Sequence, residues 1–398
     1  MLKNDKKLNY YFGIYIAFLC FCSIYFLSTS YDHFSNNAIS EWLINYQGGF
    51  VRRGFFGEFF AQISLFIKIP LREVIVNFLY LIFFIYYISI FLFIKNIQKN
   101  YFIIIALLSP LFLIWPIAER EALGRKELLI FLAFIFFSYI YNYLSFRLLL
   151  IILIFIYTPI LLTHEIAIFY LPFFYIVLFF KIEKINLERI ILIIFSSVFF
   201  LFIIYIIYNS KMSSIDLELM CSNIEKIFNE KCGLGAYFLD KDIEVYLNEL
   251  GPKPTHLLRN ILIFFIGYIF LIFLIFFSKF NETKNIIFCI FNYQLVMIFL
   301  FLPTIIPFFI AVDWGRWFNI SYTMLLLFYL FYLKNKIISF NKTNKIYFYL
   351  SKKFSKNKTI LFLSIFLICF TWNPKAVYNE DIGSIPIYRI LAKLHKHL

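Results

Sequence analysis

Apolar residues in this chain come in long runs, and the polar residues are gathered into the short breaks between them. A helix needs about 20 apolar residues to cross ~30 Å of hydrocarbon. Cut at its polar breaks, the sequence predicts about eleven spans, at 8–31, 73–94, 101–117, 128–145, 148–162, 166–180, 190–208, 259–278, 286–310, 318–333 and 359–372. The expected fold class is all-α, a polytopic integral membrane protein. The first run follows Lys3, Lys6 and Lys7 as a signal peptide's would, yet it continues to about Leu27 and meets a poor cleavage pattern at 28–30. It is therefore expected to remain as an uncleaved first span. No internal repeat and no Gly/Ser linker interrupts the series, so residues 1–398 read as a single integral domain.

Some stretches depart from plain spans. The runs 148–162 and 166–180 supply 15 residues each, ~22 Å of helix against ~30 Å of hydrocarbon. Thr163, His164 and Glu165 lie between them, and Arg147 and Lys181 ask for the same side. This pattern predicts a hairpin whose Thr-His-Glu tip stops below the outer surface, in a protected wet recess. Pro303 and Pro307 interrupt the run before 311–317, which places Asp313 and Arg316 inside the rim. Within 32–72, Phe56, Phe59, Phe60, Ile63 and Ile67 recur at helical spacing, with Arg53, Gly57, Glu58, Gln62, Ser64 and Lys68 on other faces. That reads as an amphipathic interfacial helix in the first external loop. The tail 373–398 contains IPIYRILAKLHKHL, a second interfacial segment.

Composition agrees with the pattern: 62% of residues are hydrophobic and 23% aromatic, which excludes a soluble fold. The formal net charge of +14 changes meaning once the breaks are sorted by side. The segment 334–358 has eight Lys and no acid, so it belongs in the cytoplasm. With it go 1–7, 95–100, 146–147, 181–189 and 279–285, and the N-terminus is cytoplasmic. The surplus charge is then the positive-inside signal plus attraction to anionic lipid heads, with no nucleic-acid partner implied. The arginines run the other way. Only Arg147 and Arg189 fall inside; the other eight lie on external segments or at their edges, with Arg259 bordering the large loop 209–258. Lysine is the common cation here, so external arginine points to a use for its planar, permanently charged fork, which suits phosphate or carboxylate.

Four constellations carry that chemistry. Gln47 to Glu58 reads QGGFVRRGFFGE; its glycines allow a tight turn with exposed N–H groups ahead of a helix, and Arg52 and Arg53 sit beside it. Such an element holds a phosphate at a membrane surface, or else its arginines merely meet lipid phosphates. Glu119 to Glu127 reads EREALGRKE, where Arg120, Arg125 and Lys126 face outward and Glu121 pairs Arg125 at i,i+4, or where the whole stretch is a self-neutralised connector. Asp313 to Trp317 reads DWGRW; Trp314 and Trp317 suit an interface or stacking on a sugar, and Asp313 and Arg316 could pair with each other. His164 and Glu165 crown the hairpin, where ionisable groups are costly and His164 is a binding candidate or a structural histidine.

Cys20, Cys22, Cys289 and Cys369 lie in spans as small apolar fillers. Cys221 and Cys232 share the large external loop, where an oxidising compartment would allow a disulfide. No cysteine pair has metal-site spacing, and no Walker A, Rossmann, zinc or Ser-hydrolase signature is present. No cofactor is implied, and nothing in the sequence calls for a divalent cation.

GGFVRRGFFGE and DWGRW, with the span count, resemble polytopic proteins of bacterial surface-polysaccharide assembly: O-antigen-polymerase-like proteins and GT-C-type glycosyltransferases. The resemblance covers the span series along the whole chain and about twenty residues at motif level. The adjacent acidic pair usual in the first external loop of GT-C enzymes is missing from 32–72. It implies a glycosyltransferase or polymerase at the outer face of the bacterial cytoplasmic membrane. Its partners would be the bilayer, a polyprenyl-linked glycan and other proteins of polysaccharide assembly. Arginines would hold a lipid-linked diphosphate as leaving group, and a carboxylate would deprotonate the acceptor: Glu58 first, then Asp313, with Glu165 or His164 in reserve. The alternative is a secondary transporter or flippase for an anionic or lipid-linked solute, using the same arginines and no general base.

Overall fold

The computed structural model describes residues 5–29, 37–119, 122–182, 186–210, 212–237, 239, 254–281, 292–311, 313–340 and 345–375. Apolar runs become helices because a backbone in hydrocarbon must satisfy its own N–H and C=O groups. Among the described residues, six helices are long and apolar enough to cross a membrane: Lys6–Thr29, Leu71–Lys95, Phe146–Thr163, Leu187–Asn209, Leu257–Phe276 and Tyr293–Ile310. Shorter apolar helices are Phe55–Ile67, Glu127–Ile140, Glu165–Phe179 and Thr359–Cys369. The chain is a multi-pass, all-α membrane protein. Among the described residues the strand content is one antiparallel pair, Ser278–Phe280 with Ile338–Phe340.

The chain forms two compact units. One comprises 1–19, 91–120 and 249–398; the other comprises 20–90 and 121–248. The first is built around Trp314–Lys334, a helix buried from Gly315 to Tyr332. The expected span 101–117 is instead a short helix, Tyr101–Leu107, that breaks ahead of Pro110, which has no N–H to continue it. The carbonyls left over find side-chain donors on the central helix. Asn319 Nδ2 donates to Leu111 O at 2.8 Å and Tyr322 Oη to Ala106 O at 2.9 Å. The Lys-rich 334–358 segment, expected as a surface loop, contains the helix Lys345–Lys356. Its aromatics are packed, with Phe354 against Tyr101 and Phe102 and Tyr347 against Phe277.

In the second unit Trp42 is buried among Phe56, Phe60 and Phe78. The expected hairpin forms with longer arms than predicted. Phe146–Thr163 is an unbroken 18-residue helix. The returning arm starts as a six-residue 3₁₀ stretch, Glu165–Tyr170, before the helix Leu171–Phe179. At ~2.0 Å per 3₁₀ residue and ~1.5 Å per α residue that arm reaches roughly 25 Å, longer than the ~22 Å of a 15-residue α-helix. Tyr157 Oη closes the hairpin by donating to Ala167 O at 2.6 Å.

Segments assigned to one side of the membrane meet within each unit. In the first, Asn9 donates to Lys95 O, Lys99 donates to Asn9, and Asn281 donates to Lys336 O, all inside-assigned residues. In the second, inside-assigned Arg147 pairs with Glu188 and Arg189 donates to Lys181 O. The outside-assigned segments 37–72, 122–127, 163–165 and 212–237 gather together in that unit, through the contacts described next.

Candidate functional site

The second unit gathers charges from four segments that the sequence assigns to the outside. Arg125 pairs with Glu41, and both are buried. Lys126 is fully buried, with Nζ donating to Arg53 O at 2.9 Å and lying 5.6 Å from the Trp42 ring centroid. Trp42 Nε1 in turn donates to Gly124 O at 2.7 Å. His164 Nε2 lies 3.4 Å from Glu127 Oε1, and both residues are buried. Arg53 closes the cluster: its Nε lies 3.0 Å from each oxygen of Glu165, and its Nη2 is 2.7 Å from Glu165 Oε1. This pair is partly open, at 20% and 21% side-chain exposure.

Local backbone explains how these groups converge. Arg53 has φ 69°, a left-handed conformation that costs a non-glycine residue roughly 1–2 kcal/mol. The Lys126 hydrogen bond to its carbonyl and the Glu165 fork hold it there. Arg52, next in line, is partly buried; burial pulls its guanidinium pKa down, Arg53 pulls it further, and Glu165 opposes both. At the hairpin tip, burial alone would raise the Glu165 carboxyl, but the charge and hydrogen bonds of Arg53, helped by His164 and Arg52, outweigh it. The carboxyl is held well below the usual carboxylate range.

Several expectations change. Lys126 and Arg125 do not face outward; they are sealed in, because acids and a carbonyl from distant segments neutralise them. Arg120 and Glu121 lie outside the described residues. His164 lines no wet recess; it is buried against Glu127. The Phe55–Ile67 helix buries Gly57, Phe60, Ala61 and Ser64, while Phe59, Phe66 and Ile67 are exposed. Gly57, Ala61 and Ser64 allow close approach to the rest of the unit with Phe60 packed beside them, and Phe59, Phe66 and Ile67 are left on the outer surface. A Cβ at Gly57 would collide with the Ile44 carbonyl, so this glycine serves packing. The loop N–H of Tyr46 is already used: it donates to Glu58 Oε2 at 3.1 Å, and Gln62 Nε2 donates to Glu58 Oε1 at 2.7 Å. Burial, and then Glu58, raise the Tyr46 phenol to about 12.

The DWGRW residues belong to the first unit. Arg316 Nη1 lies 3.4 Å from Asp313 Oδ2, the local pairing that the sequence allowed. Trp317 is buried beneath the Arg316 guanidinium, 5.2 Å from its ring centroid, and is therefore closed to stacking on a sugar. Trp314 packs edge-on against Phe308.

Sequence reading missed the partners: Glu41 for Arg125, Glu127 for His164, and Glu230, which takes Arg72 in a buried two-pronged pair at 2.8–3.0 Å. The available signal was that each external arginine demands an anion. Cys221 and Cys232 are bonded to each other, with Cα atoms 5.3 Å apart. The disulfide ties the helix Ser214–Phe228 to the segment that follows, and Met220, Ile224 and Ala236 pack there against Ile44 and Val51 of the first external loop. Among the described residues no group of three His, Cys, Asp or Glu side chains is placed to hold a metal ion. No family model, no curated protein and no solved structure matches this chain.

Proposed function

We propose that the protein is a membrane glycosyltransferase or polysaccharide polymerase. It takes a sugar from a polyprenyl-phosphate or polyprenyl-diphosphate donor at the outer face of the cytoplasmic membrane. One observation carries this reading: a connected cluster of Arg, Lys, Glu and His from four external segments reaches the surface through Arg53 and Glu165. A guanidinium fork and a carboxylate side by side are the two groups such a transfer requires. Arg53, with Arg52 beside it, takes the donor phosphates, whose charge grows as the bond to the sugar breaks. Glu165 accepts the proton of an acceptor hydroxyl. The hydroxyl oxygen bonds to the anomeric carbon, the anomeric carbon–oxygen bond to phosphate breaks, and the phosphate leaves with the electron pair. Lys126, Arg125 and Glu41 position Arg53 from beneath.

Base and fork now sit together at Glu165 and Arg53. Glu58 is engaged by Tyr46 N–H and Gln62. A disulfide at the arginine-bearing end suits an oxidising, external compartment. In cells, Arg53→Lys and Glu165→Gln should each abolish surface glycan while the protein still inserts at wild-type level. Glu58→Gln, which retains an acceptor for Tyr46 N–H, should keep it. Normal glycan in both Arg53→Lys and Glu165→Gln would remove the enzyme reading. Solute movement by the purified protein, without sugar transfer, would assign these residues to a transporter.

A further inference from the structure

The Arg53 fork is already filled. Two nitrogens of Arg53 face two oxygens of Glu165 at 2.7–3.0 Å, the bidentate arrangement in which guanidinium also binds phosphate. The backbone beneath is fixed, because Lys126 holds the Arg53 carbonyl and Arg53 stands in the left-handed region. The side chains are less constrained: a fifth of each is exposed, whereas the Arg125–Glu41 and Arg72–Glu230 pairs are buried. The cluster therefore has one ion pair that a soluble or membrane-borne anion can reach.

We propose that Glu165 occupies the phosphate site of Arg53 in the resting protein, and that the donor's diphosphate displaces it and so releases it to act as base. The inference rests on the glycosyltransferase reading and adds a regulated order of events. Paired with Arg53, the carboxylate is stabilised as an anion and is a poor proton acceptor. When phosphate oxygens take the guanidinium, the positive charge is neutralised by the donor, and Glu165 regains the basicity of an ordinary carboxylate. Deprotonation of the acceptor is thereby tied to the presence of donor, and the tip stays inert when the site holds no lipid diphosphate. Arg52, adjacent and cationic, offers the second phosphate a partner. Lys126 keeps the Arg53 backbone in place during the exchange.

A binding measurement decides it. Full-length protein is reconstituted in neutral phosphatidylcholine nanodiscs and titrated with polyprenyl diphosphate, with inorganic diphosphate, and with discs containing phosphatidylglycerol. Removing the internal competitor should tighten binding. Glu165→Gln is expected to bind polyprenyl diphosphate about tenfold more tightly than wild type while losing transfer, and Arg53→Gln to lose binding. Should Glu165→Gln fail to insert, Glu165→Asp carries the same test: its shorter carboxylate reaches the fork less well, and it should show a smaller gain in affinity. Unchanged or weaker binding in the Glu165 variant, with wild-type binding intact, overturns the exchange and leaves the proposed function standing. An equal gain with phosphatidylglycerol alone assigns the vacated fork to bulk headgroups and likewise overturns it. If wild type binds none of the three probes, the glycosyltransferase reading itself falls, and the exchange with it.

Discussion

Glu41 shows what one side chain decides here. It pairs with Arg125, and both are removed from solvent. Breaking a buried pair by neutralising one partner leaves the other charge uncompensated, a loss of roughly 3–5 kcal/mol. Glu41→Gln is thus expected to lower the melting temperature of the detergent-solubilised protein sharply, and Glu41→Gln combined with Arg125→Met should recover a large part. A double variant no more stable than the single would mean that Arg125 is neutralised elsewhere. Legibility at this scale was uneven. Arg53, Arg125, Lys126, His164 and Glu165 stood out in the sequence because ionisable groups beside apolar runs are expensive. Their pairings did not, since the partners lie 84 residues apart for Glu41 and Arg125 and 112 for Arg53 and Glu165. Sequence spacing suggested Glu121 for Arg125, a residue outside the described ones; the tertiary structure pairs Arg125 with Glu41.

At the scale of elements, the segment 212–237 depends on a few fastenings. Ser213 caps its helix in a reciprocal box with Asp216, Cys221 is bonded to Cys232, and Glu230 takes Arg72. Gly235 N–H then approaches Ser40 Oγ at 3.4 Å, next to Glu41. The disulfide closes a loop with a sequence separation of 11, and its removal is expected to cost about 2–4 kcal/mol, as for such loops generally. Cys221→Ser with Cys232→Ser, or treatment with dithiothreitol, should raise protease sensitivity within 212–237 before the membrane helices unfold. Identical cleavage of oxidised and reduced protein would show that packing against Ile44 and Val51 suffices. The helix Phe55–Ile67 teaches a related lesson. Its period was readable, but the face that turns inward was not: in a membrane, large apolar residues are stable against lipid, and Gly57, Ala61 and Ser64 win the protein side because they allow close approach.

At the scale of the molecule, sidedness is the claim on which the functional reading depends. Lys352 lies on the helix Lys345–Lys356 and Ser222 on the helix Ser214–Phe228. In intact cells, a membrane-impermeant maleimide should label Ser222→Cys and spare Lys352→Cys, each in a background whose free cysteines are replaced by serine. The reverse result would turn the arginine-bearing end toward the cytoplasm. The sequence by itself determined that this is a helical, multi-pass membrane protein, because hydrophobic runs and charge bias act locally and additively along a chain. It also predicts which breaks share a side, from the lysine-rich 334–358 segment and the positive-inside rule. Tertiary structure alone decided which runs are unbroken, which carbonyls need Asn319 and Tyr322, and which acid meets which arginine. Those choices depend on contacts between residues far apart in sequence, where the cost of burying a charge is settled by whatever the fold places beside it.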